Sequence, residues 1–202
     1  IRHAAVGLNH AHSHGLIHRD LKPSNLILAH DGTVKILDLG LARLRSESTD
    51  DGDLTQSGTV LGRSDYMAPE QIADSRRADI RSDLYSLGCT LFNLLTGRAV
   101  YPQPSHASPY KRMHAHLVEP IPNIRELCGD VTADLESLLE KLLAKEPDNR
   151  FGTPVELIEA LAPLARHKAE FTVVQGCSNQ YSNEAHCGST FWLTGANRFA
   201  VP

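Results

Sequence analysis

No apolar run in this 202-residue chain approaches the roughly 20 residues needed to cross a bilayer. The first residues lack the charged-then-apolar order of a secretory leader, so the chain reads as non-secreted and cytoplasmic. It starts at Ile1, not Met, which marks it as a piece of something longer whose remainder could carry a membrane anchor. Basic charge is not in excess either. A net charge of -4 provides no face for nucleic acid. Close cysteine pairs are missing: Cys89, Cys128, Cys177 and Cys187 form neither a disulfide framework nor a CxxC zinc site. Cys89 lies in an apolar helical run and is expected in the core. Histidine is plentiful, with 11 in the chain, and "HAHSH" (His10, His12, His14) invites a metal reading. On a helix only His10 and His14 share a face, since i+2 points away. A wet helix face is the better expectation.

What is present is ordinary soluble-domain composition, 41% hydrophobic and 22% charged, enough for one domain with a buried core. Residues 1–14 have helical composition, closed by Gly15. Asn25 to Ala29 and Val34 to Leu37 flank a "DGT" turn and predict a small hairpin. From Asp38 to Glu70 the chain is irregular and acidic, a loop too long to be filler. Beyond Pro69 it turns helical. "SDLYSLGCTLFNLLTG" is apolar on most sides, which predicts a helix through the middle of the domain, stopped by Gly97. A weaker helix is expected over residues 110–117, followed by another irregular stretch. Thr132 and Thr153 then cap two further helices, the second with Pro154 at its first position. After Lys168 the sequence is rich in Asn, Gly, Ser and Thr without a period. No internal repeat is visible.

Three segments carry acids or amides at defined spacing. "HRDLKPSN" gives Asp20, Lys22 and Asn25, the first and last as D-x-x-x-x-N; "DLG" places Asp38 at the end of an apolar strand; "APE" gives Ala68, Pro69 and Glu70. With Asp83 in "DLYSLG" and Arg150 in "DNRF", these follow one another in an order that resembles the protein kinase family, in its eukaryotic-like Ser/Thr branch and in a bacterial style. The resemblance implies a protein-kinase-like α+β fold, of which residues 1–166 are the mostly α-helical C-terminal (catalytic) lobe with a small β-hairpin. The N-terminal lobe is absent, and residues 167–202 form a tail of unknown structure.

The same resemblance implies an ATP-dependent protein serine/threonine kinase. Its partners would be ATP, Mg2+ and proteins bearing Ser or Thr, without nucleic acid or a membrane segment in this chain. Phosphoryl transfer asks the protein for positioning and charge neutralisation. Asp20 would take or orient the acceptor's proton, and Lys22 would set a positive charge on the moving phosphate. Asn25 and Asp38 would supply hard oxygen ligands to magnesium. Lys22, Asn25, Ile27 and Asp38 would contact the nucleotide, Ile27 from beneath the adenine. The same likeness makes Asp83 a cap for the catalytic-loop backbone, His18 and Leu39 packing residues, and Glu70 with Arg150 a buried ion pair. Arg19 would await a phosphate on the long loop, where Ser46, Ser48, Thr49, Thr55, Ser57 and Thr59 are candidates and the Thr55 to Thr59 region is favoured.

The pattern departs from the family in two places. "GRSDYMAPE" has Arg63 where Thr is common, the Thr that bonds the catalytic Asp and Lys; Ser64 is the neighbouring hydroxyl that could replace it. A Gly-rich loop, a V-A-I-K strand and their partner Glu have no counterpart in this sequence, so negligible transfer by residues 1–202 alone is expected. A lobe-only, non-catalytic binding or pseudokinase module is the rival reading. A small-molecule phosphotransferase shares the Asp-to-Asn spacing but not the long loop and APE motif.

Overall fold

In a computed structural model, residues 1–38 and 62–164 are described. The expectations for the phosphate-accepting loop, for Leu39 and for the tail from residue 167 lie outside them. Among the described residues the elements are α1 (Arg2–Ser13), β1 (Leu26–Leu28), β2 (Val34–Ile36), α2 (Pro69–Ala73), α3 (Ile80–Thr96), α4 (Pro109–Val118), α5 (Ile124–Leu127), α6 (Ala133–Leu142) and α7 (Pro154–Leu164). Short 3-10 turns occur at Pro23–Asn25, Ser75–Arg77 and Pro147–Asn149. None of the described helices is long and apolar enough to cross a membrane.

The central element is α3, as its all-round apolar pattern requires. Every residue from Ser82 to Phe92 is buried, Cys89 among them. Asp79 starts the helix by accepting the Arg81 amide, and Gly97 ends it in the left-handed region at φ 72, where a glycine carries no Cβ penalty. Around it pack α6, through Leu135, Leu138, Leu139 and Leu142, and α1, through Ala4, Ala5, Leu8 and Ala11. In turn α1 lies on α7 and on β2. The cap of α7 is reciprocal: Thr153 Oγ1 accepts the Glu156 amide at 3.3 Å, and Glu156 Oε2 accepts the Gly152 amide at 3.0 Å. The one-turn helix α5 replaces an expected irregular stretch. Asn123 Oδ1 creates it by accepting the amides of Arg125 and Glu126.

Gly88 explains why a glycine sits in the middle of the best-buried helix. A Cβ there would lie 2.8 Å from Leu142 Cβ and 3.1 Å from Leu143 Cδ2. Alanine would gain up to about 1 kcal/mol of helix propensity. Leu142 Cβ cannot rotate away, however, so α3 and α6 would have to separate, a strain of about 1–3 kcal/mol. Gly88→Ala is therefore expected to lower the free energy of unfolding by about 1–2 kcal/mol, read as a shift of the urea midpoint. An unchanged or raised midpoint would show that the two helices are not in this contact.

Candidate active site

The polar segment between α1 and β1 is short of regular structure, so its backbone amides need partners from elsewhere. Asp83, fully buried in the first turn of α3, supplies them. Its Oδ2 accepts the His18 amide at 2.9 Å and its Oδ1 the Arg19 amide at 2.8 Å. His12 Nε2 donates to the same Oδ2 at 2.8 Å, which adds a charge-compatible third partner. As expected, His10 and His14 share an exposed face, and His12, on another side of the helix, turns inward to Asp83. The metal reading of this trio ends there, and no cluster of three or more His, Cys, Asp or Glu able to hold a metal exists among the described residues.

The clamp holds Arg19 at φ 62, a left-handed conformation that a side-chain-bearing residue adopts only when its surroundings enforce it. Asp38 is at φ 59. Positive φ occurs at no other non-glycine position among the described residues, and these two flank the candidate chemistry.

His18 is buried, as expected of a packing residue, and its ring also makes two polar bonds. Its Nδ1 accepts the Asp20 amide at 3.3 Å, which leaves the ring proton on Nε2 to donate to the Leu37 carbonyl at 2.8 Å. One imidazole thus ties the segment carrying Asp20 to the residue preceding Asp38. The hairpin adds a second tie. Its register pairs Leu26 with Ile36, and one step beyond, the Leu37 amide donates to the Asn25 carbonyl at 2.8 Å. Antiparallel register therefore sets Leu37 opposite Asn25, with Asp38 one residue beyond it.

Asn25 Nδ2 donates to the Asp20 carbonyl at 2.7 Å and fixes the side chain, which leaves Oδ1 as its ligand atom. Asp38 is exposed. One carboxylate and one amide oxygen, with phosphate and water completing the shell, are the sparse hard-oxygen set that magnesium accepts. The residues present fit that ion. Asp20 is half-buried, with Lys22 Nζ 3.3 Å from its Oδ2. Ile27 and Leu37 present apolar surface outward, 47% and 38% exposed, on the two strands of the hairpin.

The segment 62–71 closes over this group through fixed anchors. Arg112 Nε reaches both Ser64 Oγ at 3.1 Å and Asp65 Oδ1 at 2.6 Å. Ser86 Oγ donates to the Tyr66 carbonyl at 2.7 Å, and Gln71 Nε2 to the Arg19 carbonyl at 2.6 Å. Ser64, the hydroxyl that could replace the usual Thr, accepts from Arg112 Nε. Arg63 reaches Asp20 instead, with its Nε 3.4 Å from Oδ1. Sequence reasoning singled out Arg63 as a departure without finding its target, and it missed His12 and Gln71. The pair Glu70–Arg150 forms as the resemblance implied, with both guanidinium ends on the carboxylate at 2.8 Å.

Comparison with known proteins follows the same line. The family model described as protein kinase domain matches residues 1–161. The chain is 40% identical over 158 residues to the serine/threonine-protein kinase PknB of Mycolicibacterium smegmatis, covering 78% of this chain and 24% of that protein. It is also 40% identical over 155 residues to PknB of Mycobacterium leprae, covering 76% and 24%. A protein of Lactococcus lactis named probable serine/threonine-protein kinase PknB is 40% identical over 152 residues, covering 75% and 23%. The chain spans about a quarter of the length of these curated relatives. With the matched family model covering most of its length, the chain belongs to the protein kinase domain family.

Proposed function

We propose that this chain carries the catalytic lobe of an ATP-dependent protein serine/threonine kinase, with residues 1–166 as that lobe and 167–202 as an appended tail. The observation that carries the reading is the convergence of two segments: the His18 ring and the Leu37 amide tie the loop bearing Asp20, Lys22 and Asn25 to the residue before Asp38. A structural cap or surface charge gives no reason for that convergence.

In this reading an acceptor hydroxyl attacks the γ-phosphorus of ATP. The O–P bond to ADP breaks as the new one forms, and the hydroxyl proton passes to the Asp20 carboxylate. Lys22, already beside Asp20, moves positive charge onto the transferring phosphoryl group. Asn25 and Asp38 hold magnesium, which would neutralise charge on the phosphates. Ile27, open on the hairpin surface, offers an apolar floor for the adenine. A Lys two residues after the base supports Ser and Thr as acceptors.

Incubating the protein as its gene encodes it with Mg2+, γ-labelled ATP and a mixed Ser/Thr protein acceptor tests the proposal. Label stable on Ser or Thr is the expected result. ATP bound without any transfer would replace the kinase reading with the non-catalytic binding module.

A further inference from the structure

We propose that Arg63 is a specificity-determining residue that favours acceptor hydroxyls flanked by a carboxylate or a phosphate. This deepens the kinase reading and rests on it. Both oxygens of Asp20 already face a cation, Oδ2 facing Lys22 at 3.3 Å and Oδ1 facing Arg63 at 3.4 Å. A hydroxyl that hands its proton to Asp20 therefore approaches beside one of these cations. Lys22 belongs to the same loop as Asp20 and travels with it. Arg63 comes from a separate segment, and its contact is poorly aligned. Although its Nε is shut off from water, it has no hydrogen-bond acceptor among the described residues. An ion pair between partly exposed groups holds by less than a factor of about five, so Arg63 gives way without blocking the site.

It cannot go far. Ser64 and Asp65 on Arg112, the Tyr66 carbonyl on Ser86, and Gln71 on the Arg19 carbonyl fix the backbone on its C-terminal side. The displaced guanidinium stays beside the incoming hydroxyl with donors to fill. The other charged side chains of the 18–25 loop, Arg19 and Lys22, are cations, and Arg19 Nε is likewise buried without an acceptor. An anion carried by the acceptor would fill these donors. A carboxylate or phosphate next to the hydroxyl matches the planar fork of a guanidinium.

The test uses the protein as its gene encodes it and three Ser peptides that differ only in the residue after the acceptor: Asp, Ala or Lys. The wild type is expected to show kcat/KM about 5- to 10-fold higher for Asp than for Ala, with Lys lowest. Arg63→Gln should bring the Asp and Ala peptides within about 2-fold of each other, whatever it does to the rate they share, and Arg63→Lys should retain most of the preference. A merely structural role for Arg63 would lower all three peptides together and leave the ratio intact, which would overturn the proposal. Equal rates on the three peptides with wild type would do the same while leaving the kinase reading standing. Failure to label any peptide or protein would remove that reading and this proposal with it.

Discussion

Asp20→Asn is expected to lower phosphate transfer from ATP to a Ser/Thr acceptor by about 10²- to 10⁴-fold, the usual contribution of a positioned general base. The substitution is isosteric, and the structure shows why it would spare the fold. The two bonds that fix this residue in the loop use its backbone: the amide donates to His18 Nδ1, and the carbonyl accepts from Asn25 Nδ2. Among the described residues its carboxylate meets the part-exposed side chains of Lys22 and Arg63. Such pairs are worth about 0.2–1 kcal/mol each. Two pairs come to at most about 2 kcal/mol, so the melting temperature is expected to fall by no more than about 8 °C, at roughly 2–4 °C per kcal/mol for a domain of this size. Initial rates with labelled ATP, beside a thermal melt of the same preparation, check both halves. More than a tenth of the wild-type rate remaining in the variant would remove Asp20 from its role as the base.

Local chemistry and period made most of the architecture legible. The all-round apolar run ending at Gly97 gave α3 its place at the centre, and the Thr caps located the starts of α6 and α7. Asp20, Asn25 and Asp38 are proposed from the ordered motifs the sequence shares with the protein kinase family, not from residue type alone. Elsewhere the deciding partner lies far away in the chain. Nothing within "HAHSH" announces that His12 will meet Asp83, 71 residues later, at 2.8 Å. His18 has the same ambiguity: a buried ring is as compatible with packing as with two polar bonds, and only the position of the Leu37 carbonyl chooses between them. Arg63 is the instructive case. Its sequence shows the loss of a hydroxyl, but whether a longer side chain folds back to the carboxylate that hydroxyl served depends on the anchors at Arg112 and Ser86. The one-turn helix α5 escaped for a simpler reason, since four residues cannot display a 3.6-residue period.

Glu70→Gln is expected to destabilise the domain by about 3–5 kcal/mol, because it strands a buried cation. The side chain of Arg150 is fully buried and that of Glu70 is 10% exposed. All the guanidinium donors are used. Nε goes to the Ala144 carbonyl, Nη1 to Glu70 Oε1 and the Arg81 carbonyl, and Nη2 to Glu70 Oε2 and the Lys145 carbonyl. Gln keeps one acceptor for this fork and for Ser82 Oγ, which donates to Glu70 at 2.6 Å, but turns an NH2 toward the other guanidinium donor. At about 2–4 °C per kcal/mol the melt should fall by roughly 6–20 °C. Acid supplies an independent check. Burial raises the Glu70 carboxyl pKa, but the hydrogen bonds and charge of Arg150, helped by Ser82, overcome this and hold it below its ordinary value of 4.5. Because the folded value is the lower one, the pair's contribution is complete above that pH and is lost as pH falls through the folded value. Wild type and Glu70→Gln should therefore differ fully at neutral pH and converge below about 4.5. Replacing both partners, Glu70→Met with Arg150→Met, removes the stranded charge and should recover part of the loss. It will not recover all of it, since the carbonyls of Ala144, Arg81 and Lys145 lose the donors that Arg150 gave them. A Glu70→Gln protein within about 1 kcal/mol of wild type at neutral pH, by urea titration, would show that α2 is not fixed to the core through this pair.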